Sequence, residues 1–367
     1  MKKVLFLVLT LVFCLALSAC SGGQELDMES LTGNYNQDFA GTELNVFNWG
    51  VYLSDGSEGS LDVNAAFEEL TGIKVNYTNY ESNEAMYSKM KSGAVSYDII
   101  IPSDYMIQRL ISEDMLQPLD YTRLNNYQYI NDEFKGLYFD PEETYTVPYM
   151  YCMTGLIYNT TMVEGTPDSW EILWDENYAG DILTFNNSRD AFSLAQLVLG
   201  QDVNSTNTED WDAAAELLKE QNDVLQARVM DEVFNKMEGG NAALAPYYSG
   251  DFLIMYENNN DLAMVYPKEG TIYAVDSICI PSNAANYDAA MMYIEFLCEP
   301  QVALANAEYV GYSSPNMEVV NNPDYYYYQN EILYPAKGEA PTSYYFTDLP
   351  MDVRTHYEQL WEEVLLN

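Results

Sequence analysis

Positive charge is scarce in this chain. Lys and Arg together number 15 among 367 residues, against 57 Asp and Glu, so the formal net charge is −42 at pH 7. Such an acidic surface repels phosphate backbones, and nucleic acid is therefore excluded as an expected partner. The charge favours solubility and attracts cations, but physiological salt limits that attraction to about 8 Å. Charge alone therefore identifies no ligand.

Cysteine and histidine are also scarce. The five cysteines include no CxxC pair, which argues against a zinc site and against a disulfide framework. Cys152 and Cys279 lie in apolar surroundings and are predicted to be buried, inert thiols. The one histidine, His356, falls in a predicted C-terminal helix, and no GxSxG, P-loop, GxGxxG or HExxH motif occurs. With 57 acids, carboxylate pairs do not indicate a glycosidase. The sequence thus predicts no enzyme, no cofactor and no metal site.

Long apolar runs are missing after the first twenty residues. Lys2 and Lys3 precede "VLFLVLTLVFCLAL", a run too short for a membrane span and typical of a signal peptide over residues 1–19. The "LSAC" that closes it resembles a bacterial lipobox, which implies cleavage before Cys20 and a lipid on its sulfur. That lipid would hold the chain at the outer face of the cytoplasmic membrane. The alternative is an ordinary secretory signal with a chance cysteine.

Beyond the signal peptide, the chain has a regular organisation. Residues 20–40 are polar and acidic and are predicted to be a tether. Strand patterns then alternate with helix patterns three times, which predicts an α/β protein with a largely parallel sheet. The apolar run "YTVPYMYCMTGLIYN" would suit a crossover into a second domain, since the length is sufficient for two.

Several stretches resemble the spermidine/putrescine-binding proteins of polyamine ABC transporters. They occur in the order of that family and read "FNWGVY", "TGIKVNYTNYESNEAMYSKMKSG", "YDIIIPSDYMI", "YTVPYMYCMTGLIYN", "VYPKEGTIYAVDSICIP" and "VGYSSPN". The resemblance implies a two-lobe, periplasmic-binding-protein-like fold of type II, also called a Venus flytrap, with crossovers between the lobes. The N-lobe would comprise residues 41–147 plus 276–322, and the C-lobe residues 149–272 plus 325–367.

The same resemblance implies a function. Members of the spermidine/putrescine-binding family capture a polyamine such as putrescine or spermidine outside the membrane. They deliver it to a permease and its ATPase, without catalysis. A polyamine needs carboxylates for its ammonium groups and aromatic faces along its methylenes. A monomer at the cell surface or periplasmic face is expected. The positions that match the family's ligand-binding residues are Trp49, Tyr52, Ser103, Tyr105, Asp190, Asp276, Tyr312 and, less directly, Tyr247.

Each position also has a structural interpretation. Trp49 and Tyr52 could pack the edge of a core, and Ser103 could be only a helix cap. Asp276 could be a turn acid, although an acid among apolar residues is costly without a partner. Asp190 could pair with its neighbour Arg189.

The chain also departs from the family pattern. Asn187 replaces a second acid, Ala274 replaces a tryptophan, and Gly50 stands where Thr is common. One carboxylate fewer would favour a diamine, whereas a lost stacking wall could accommodate another amine. The same fold could also bind a sugar or ferric iron, or could serve a surface sensor. The Tyr325–Tyr328 run gives weak support for iron.

Overall fold

The computed structural model describes residues 24–336 and 338–366, so the predicted signal peptide and Cys20 lie outside the described residues. The strands are β1 Glu43–Trp49, β2 Lys74–Tyr80, β3 Ile99–Ile100, β4 Thr146–Asn159, β5 Ile182–Phe185, β6 Leu225–Val229, β7 Leu244–Tyr248, β8 Leu262–Val265, β9 Thr271–Cys279 and β10 Ser343–Tyr344. The helices are α1 Val63–Thr71, α2 Asn83–Ser92, α3 Asp104–Ser112, α4 Ser188–Val198, α5 Thr208–Gln221, α6 Glu232–Glu238, α7 Ser249–Asn258, α8 Tyr287–Leu297, α9 Pro300–Val310, α10 Met317–Val320 and α11 Met351–Leu366. Within the described ranges, no helix is both long and apolar enough to cross a membrane.

The three predicted βα units are present between residues 43 and 112. Asp62 caps α1 by accepting from Ala65 N, and Gly72 ends that helix at φ 69°. Ser82 caps α2 in the same way, and Gly93 ends it at φ 64°. A positive φ costs glycine little, so the helix ends follow directly from the sequence.

The strands form one continuous hydrogen-bonded order, β2-β1-β3-β9-β4-β7-β5-β6. At one end β1 pairs in parallel with β2 and β3, and at the other β5 pairs in parallel with β6 and β7. Between these groups lie the antiparallel strands β9 and β4. Two parallel α/β units are therefore joined through a central antiparallel pair.

Strand β4 belongs to both units. Its first part, through Met153, pairs with β9, and its second part, from Thr154, pairs with β7. Pro148 lies at a shift in the β4–β9 register, which fits a residue that lacks a backbone donor. The change of partner gives the predicted crossover a structural basis, while the numerical lobe boundaries stay a prediction.

Two hydrophobic cores flank these strands. The buried residues of one core all fall within 44–152 and 278–312, so chain segments distant in sequence share it. The other core combines residues from the remaining part of the chain with residues such as Phe47 and Tyr80 from the first βα units. A chain that returns to its first core after residue 278 must cross between the units more than once.

The segment predicted to be a tether differs from expectation. The buried carboxylate of Glu299 accepts hydrogen bonds from Thr32 N at 2.9 Å, Gly33 N at 2.7 Å and the Tyr35 hydroxyl at 2.8 Å. Tyr35 also packs edge-on against Phe296. Residues 32–35 therefore lie against the fold, a contact that the prediction of an acidic tether over residues 20–40 did not include. Polar composition alone did not reveal the buried acid that these residues bind.

Two other features of the sequence have structural surroundings in the fold. Residues Tyr325–Tyr328 alternate, with the first and third side chains buried and the other two exposed. His356 lies on α11, where its Nε2 is 2.8 Å from Asp212 Oδ1.

Candidate functional site

A cleft of about 420 Å³ lies where the two units meet. All eight residues that the sequence singled out as ligand-binding line it, although they come from opposite ends of the chain. The departures Gly50, Asn187 and Ala274 line it as well. The structure thus brings the candidates together, and their binding role stays a prediction.

Trp49 and Tyr52 form the first wall of the cleft. The Trp49 indole donates to the carbonyl of Ile101 at 2.9 Å and packs against Tyr80 at 4.6 Å between ring centroids. Between the two aromatics, Val51 has a φ of 45°, which is strained for a β-branched residue. This tight turn allows both rings to line the same cleft after β1 ends.

Asp276 lies on β9 and is 7% exposed. The Tyr52 hydroxyl donates to its Oδ2 at 2.6 Å, while its Oδ1 has no partner. Burial raises the pKa of Asp276 to about 6, and the neighbouring hydroxyls of Ser103 and Tyr52 oppose the rise. A turn acid would point to solvent, whereas this carboxylate is buried and faces the cleft.

Ser103 and Tyr105 flank the start of α3. Ser103 occupies the N-cap position, but its side chain makes no capping hydrogen bond, and its backbone bridges to Asp276. The interpretation of Ser103 as a side-chain cap of α3 is therefore wrong. The Tyr105 hydroxyl donates to Glu84 Oε1 at 2.8 Å, so the residue lines the cleft with its own hydroxyl already engaged.

Asp190 lies in the first turn of α4. Its Oδ2 accepts from the Tyr248 hydroxyl at 3.0 Å and from Asn187 Nδ2. Arg189 does not pair with it, because the guanidinium turns away and donates to the carbonyl of Val203 at 3.0 Å. Burial raises the pKa of Asp190 to about 6, and the Tyr248 hydroxyl opposes that rise. The ion-pair interpretation of Asp190 is thus contradicted.

Tyr312 forms a further wall beside Tyr52, with ring centroids 5.2 Å apart at an angle of 87°. Its hydroxyl donates to Asp251 Oδ2 at 2.7 Å. Gly250 makes this approach possible, since a Cβ there would lie 2.2 Å from the Tyr312 ring. Burial raises the pKa of Asp251 to about 7.

Tyr247 lies at the end of β7 and is 3% exposed. Its ring stacks on Phe185 at 5.5 Å, and it also touches the ring of Tyr248. The position predicted to hold a cleft aromatic therefore does so, supported from behind by a second ring.

Several cleft residues were missed by the sequence reasoning, notably Asp104, Tyr248 and Asp251. A signal for the acids was available. Asp104, Asp190 and Asp251 each lie in the first turn of a helix that follows a strand, namely α3, α4 and α7. Ligands of open α/β sheets lie beyond the carboxyl ends of strands, so first-turn acids after strands are the ones to collect.

The charge of the cleft is one-sided. Its lining carries seven carboxylates and eight aromatic rings, and no Lys, Arg or His is among the described residues that line it. The acids are Glu81, Asp104, Asp190, Asp231, Glu232, Asp251 and Asp276. The arrangement can neutralise and enclose a compound with several positive charges, and nothing in it offers a cation to an anionic ligand.

The buried thiols show one difference from expectation. Cys152, Cys279 and Cys298 are free and buried. Cys152, however, lines the cleft, where the carboxylates of Asp276 and Asp251 act on it. Burial, followed by these charges, raises its pKa, so the thiol stays protonated and unreactive.

Comparison with known proteins agrees with this fold. The family described as bacterial extracellular solute-binding proteins matches residues 63–335 of the chain. The chain belongs to this family. Its members are solute-binding proteins of transport systems and not enzymes.

Individual relatives of this solute-binding protein carry more specific names. The spermidine/putrescine-binding periplasmic protein of Salmonella typhimurium is 34% identical over 278 residues, which are 75% of this chain and 78% of that protein. A solved structure described as a putative spermidine/putrescine ABC transporter from Listeria monocytogenes is 34% identical, with a TM-score of 0.84 over 89% of this chain and 99% of that one. A spermidine/putrescine ABC transporter substrate-binding protein from Streptococcus pneumoniae is 33% identical, with a TM-score of 0.73 over the same shares. The predicted periplasmic-binding-protein-like fold is confirmed.

Proposed function

We propose that this solute-binding protein captures a polyamine in its cleft and delivers it to an ABC permease. The observation that carries the proposal is the cleft lining, which combines seven carboxylates and eight aromatic rings without a basic side chain among the described residues. A polyamine supplies the complementary chemistry, because its ammonium groups pair with carboxylates and its methylenes pack on rings. The names of the Salmonella and Listeria relatives support the same ligand class.

The proposed mechanism is capture by enclosure. The ligand lies between Trp49 and Tyr52 on one side and Tyr247 on the other, and its ammonium groups pair with the buried acids. Excluding water strengthens each ion pair, because the effective dielectric falls. The enclosed form of the protein is the one that the permease recognises, and no covalent step is involved.

Calorimetry of the chain that lacks residues 1–20 tests the ligand class. We expect binding heat with putrescine, spermidine, spermine or agmatine, and none with neutral sugars or Fe(III). Micromolar affinity corresponds to about 8 kcal/mol, which several charge-assisted hydrogen bonds and ring contacts can provide after the ordering costs. Binding of a neutral sugar without binding of any amine would contradict the proposal. A role as a surface sensor would instead leave amine binding intact and transport absent.

We further propose that the protein is a monomer anchored through Cys20 to the outer face of the cytoplasmic membrane. The lipobox-like "LSAC" and the preceding apolar run support the anchor. In cells, Cys20→Ser should move the protein from the membrane fraction to the soluble extracytoplasmic fraction. An unchanged membrane fraction would contradict lipidation at this residue.

A further inference from the structure

Two buried carboxylate oxygens in the cleft have no hydrogen-bond partner. They are Oδ2 of Asp104 and Oδ1 of Asp276, in side chains of residues that are 1% and 7% exposed. No other carboxylate oxygen in residues 24–336 and 338–366 is buried in this way. An unpaired acceptor removed from water destabilises the folded protein, so its persistence at a cleft points to a ligand.

The remaining oxygens of the two carboxylates are already occupied. Asp104 Oδ1 accepts from Tyr105 N at 2.7 Å, and Asp276 Oδ2 accepts from the Tyr52 hydroxyl at 2.6 Å. The Tyr138 hydroxyl lies near Asp104, but it donates its one proton to the carbonyl of Phe346 at 2.5 Å. The Ser103 hydroxyl lies near Asp276 and Val275 N lies near Asp104, but neither makes a hydrogen bond to the unpaired oxygens. Each carboxylate therefore offers one acceptor to the cleft.

The backbone keeps the two acids together. Ser103, which immediately precedes Asp104, pairs with Asp276 through a single antiparallel β-bridge of the backbone. Ser277 N donates to the carbonyl of Pro102 at 3.1 Å. Two acids on adjoining elements, both lining one cleft, can approach the same charged group.

We propose that Asp104 and Asp276 together bind one primary ammonium group of the ligand, each through its unpaired oxygen, and that Asp104 is a further specificity-determining residue. This inference rests on the proposed function. A primary ammonium carries three donors around a compact charge and can serve two separate acceptors. A guanidinium prefers both oxygens of one carboxylate, and neither acid has both free. The subsite therefore selects an aminoalkyl end.

The protonation of Asp104 provides an independent readout. Burial is the main cause that raises its pKa to about 7, with the Asp276 charge adding to the rise and Tyr105 N and Tyr138 opposing it. The Tyr80 hydroxyl on β2, the Cys152 thiol on β4 and the Tyr273 hydroxyl on β9 also lie near the pair. The Arg189 guanidinium on α4 lies beyond the Tyr105 and Phe346 rings. A bound ammonium lowers the pKa of Asp104, so binding near pH 7 releases protons.

The experiment measures putrescine binding by calorimetry in two buffers of different ionisation enthalpy, for the chain lacking residues 1–20 and for Asp104→Asn. We expect the variant to bind about 10- to 100-fold more weakly and to release fewer protons. Its ligand-free melting temperature should equal or exceed the parent's, because an unpaired buried carboxylate is removed. Asp104→Ser serves as a second variant should the amide fail to fold.

Asp98→Asn is the matched control. Asp98 is also 1% exposed, but it lies outside the cleft lining and accepts from Asn45 N, Ala285 N and Asn286 N. This variant should lose thermal stability and keep the parent affinity in the fraction that is folded. The opposite pattern from Asp104→Asn distinguishes a ligand-binding carboxylate from a structural one.

A double-mutant cycle tests whether one ammonium is shared. Losses for Asp104→Asn and Asp276→Asn should be strongly non-additive, whereas losses for Asp104→Asn and Asp251→Asn should add within about twofold. Additive losses in the first pair would overturn the shared subsite. Affinity within twofold of the parent in Asp104→Asn would overturn the role of Asp104 while the proposed function stands. Failure of the parent chain to bind any amine would overturn both.

Discussion

At the scale of single residues, Trp49 is the tryptophan best placed to report on the cleft. Of the five tryptophans, it alone lines the cleft of the described structure. We expect putrescine to change the intrinsic fluorescence of the parent protein and Trp49→Phe to lose most of that change. Trp174→Phe is the control, since Trp174 donates to the carbonyl of Leu217 away from the cleft. A full response in Trp49→Phe would return Trp49 to a purely structural role.

Substitution of Asp276 should have a large effect on the affinity for the ligand. No Lys or Arg of the cleft lining neutralises the buried carboxylate of Asp276, so Asp276→Asn should remove a charge partner of the ligand, and calorimetry should show putrescine binding weakened by about 2–5 kcal/mol. Asp140→Asn is the control, because Asp140 is buried away from the cleft and accepts from the backbone of Thr144, Tyr145 and Thr146. That control should lower the melting temperature and spare the affinity. An Asp276→Asn affinity within threefold of the parent would contradict the assignment.

Residue types near strand ends could be predicted from the sequence, but their hydrogen-bond partners could not. Asp276 stood out as an acid among apolar residues, whereas Asp104 and Asp251 resembled ordinary first-turn helix acids. Arg189 follows the same logic, since its sequence neighbour is an acid while its observed partners lie 14 and more residues away. Contacts between distant segments decide which acid is paired and which faces a ligand.

At the scale of elements, the start of α4 connects helix stability to the cleft. Asn187 caps α4 through its Oδ1, which accepts from Asp190 N, and its Nδ2 donates to Asp190 Oδ2. The departure from the family pattern thus places a donor where a second acid would repel Asp190. The amide fixes the position of an acid that lines the cleft.

Asn187→Ala should lower both stability and affinity. Loss of the cap should reduce the free energy of unfolding by about 1 kcal/mol, and Asp190 should lose its orienting donor. Asn207→Ala is a matched control, because Asn207 caps α5 and donates its Nδ2 to Asp210 at 3.4 Å outside the cleft. Denaturant unfolding should show similar losses in both variants, and calorimetry should show weaker putrescine binding only in Asn187→Ala. Equal affinity in the two variants would contradict the role of Asn187.

Local signals predicted the elements more fully than they predicted their assembly. Helices α1 and α2 carry local signals at both ends, with side-chain caps at Asp62 and Ser82 and glycines of positive φ at Gly72 and Gly93. By contrast, the binding of residues 32–35 to Glu299 joins positions more than 260 residues apart. Composition described that N-terminal segment as polar, and only the fold shows which buried acid receives it.

At the scale of the whole molecule, the cleft concentrates buried acids between two units that share β4. Burial raises the pKa of Asp104 and Asp251 to about 7 and that of Asp190 and Asp276 to about 6. In an unfolded chain these groups titrate near 4. Between pH 4 and 7 the folded state therefore binds more protons than the unfolded state, and its stability falls as pH rises.

A cationic ligand should reverse this dependence. The ligand-free protein should melt at progressively lower temperature from pH 5 to pH 8, while putrescine affinity and the ligand-induced rise in melting temperature should both increase over that range. Repulsion across a surface of net charge −42 acts in the same direction, but 1 M salt screens it and leaves the buried contribution. Thermal scans in low salt and in 1 M salt, with and without putrescine, separate the surface repulsion from the contribution of the buried acids. A pH dependence of the ligand-free protein that disappears in 1 M salt would assign the effect to the surface and not to the cleft.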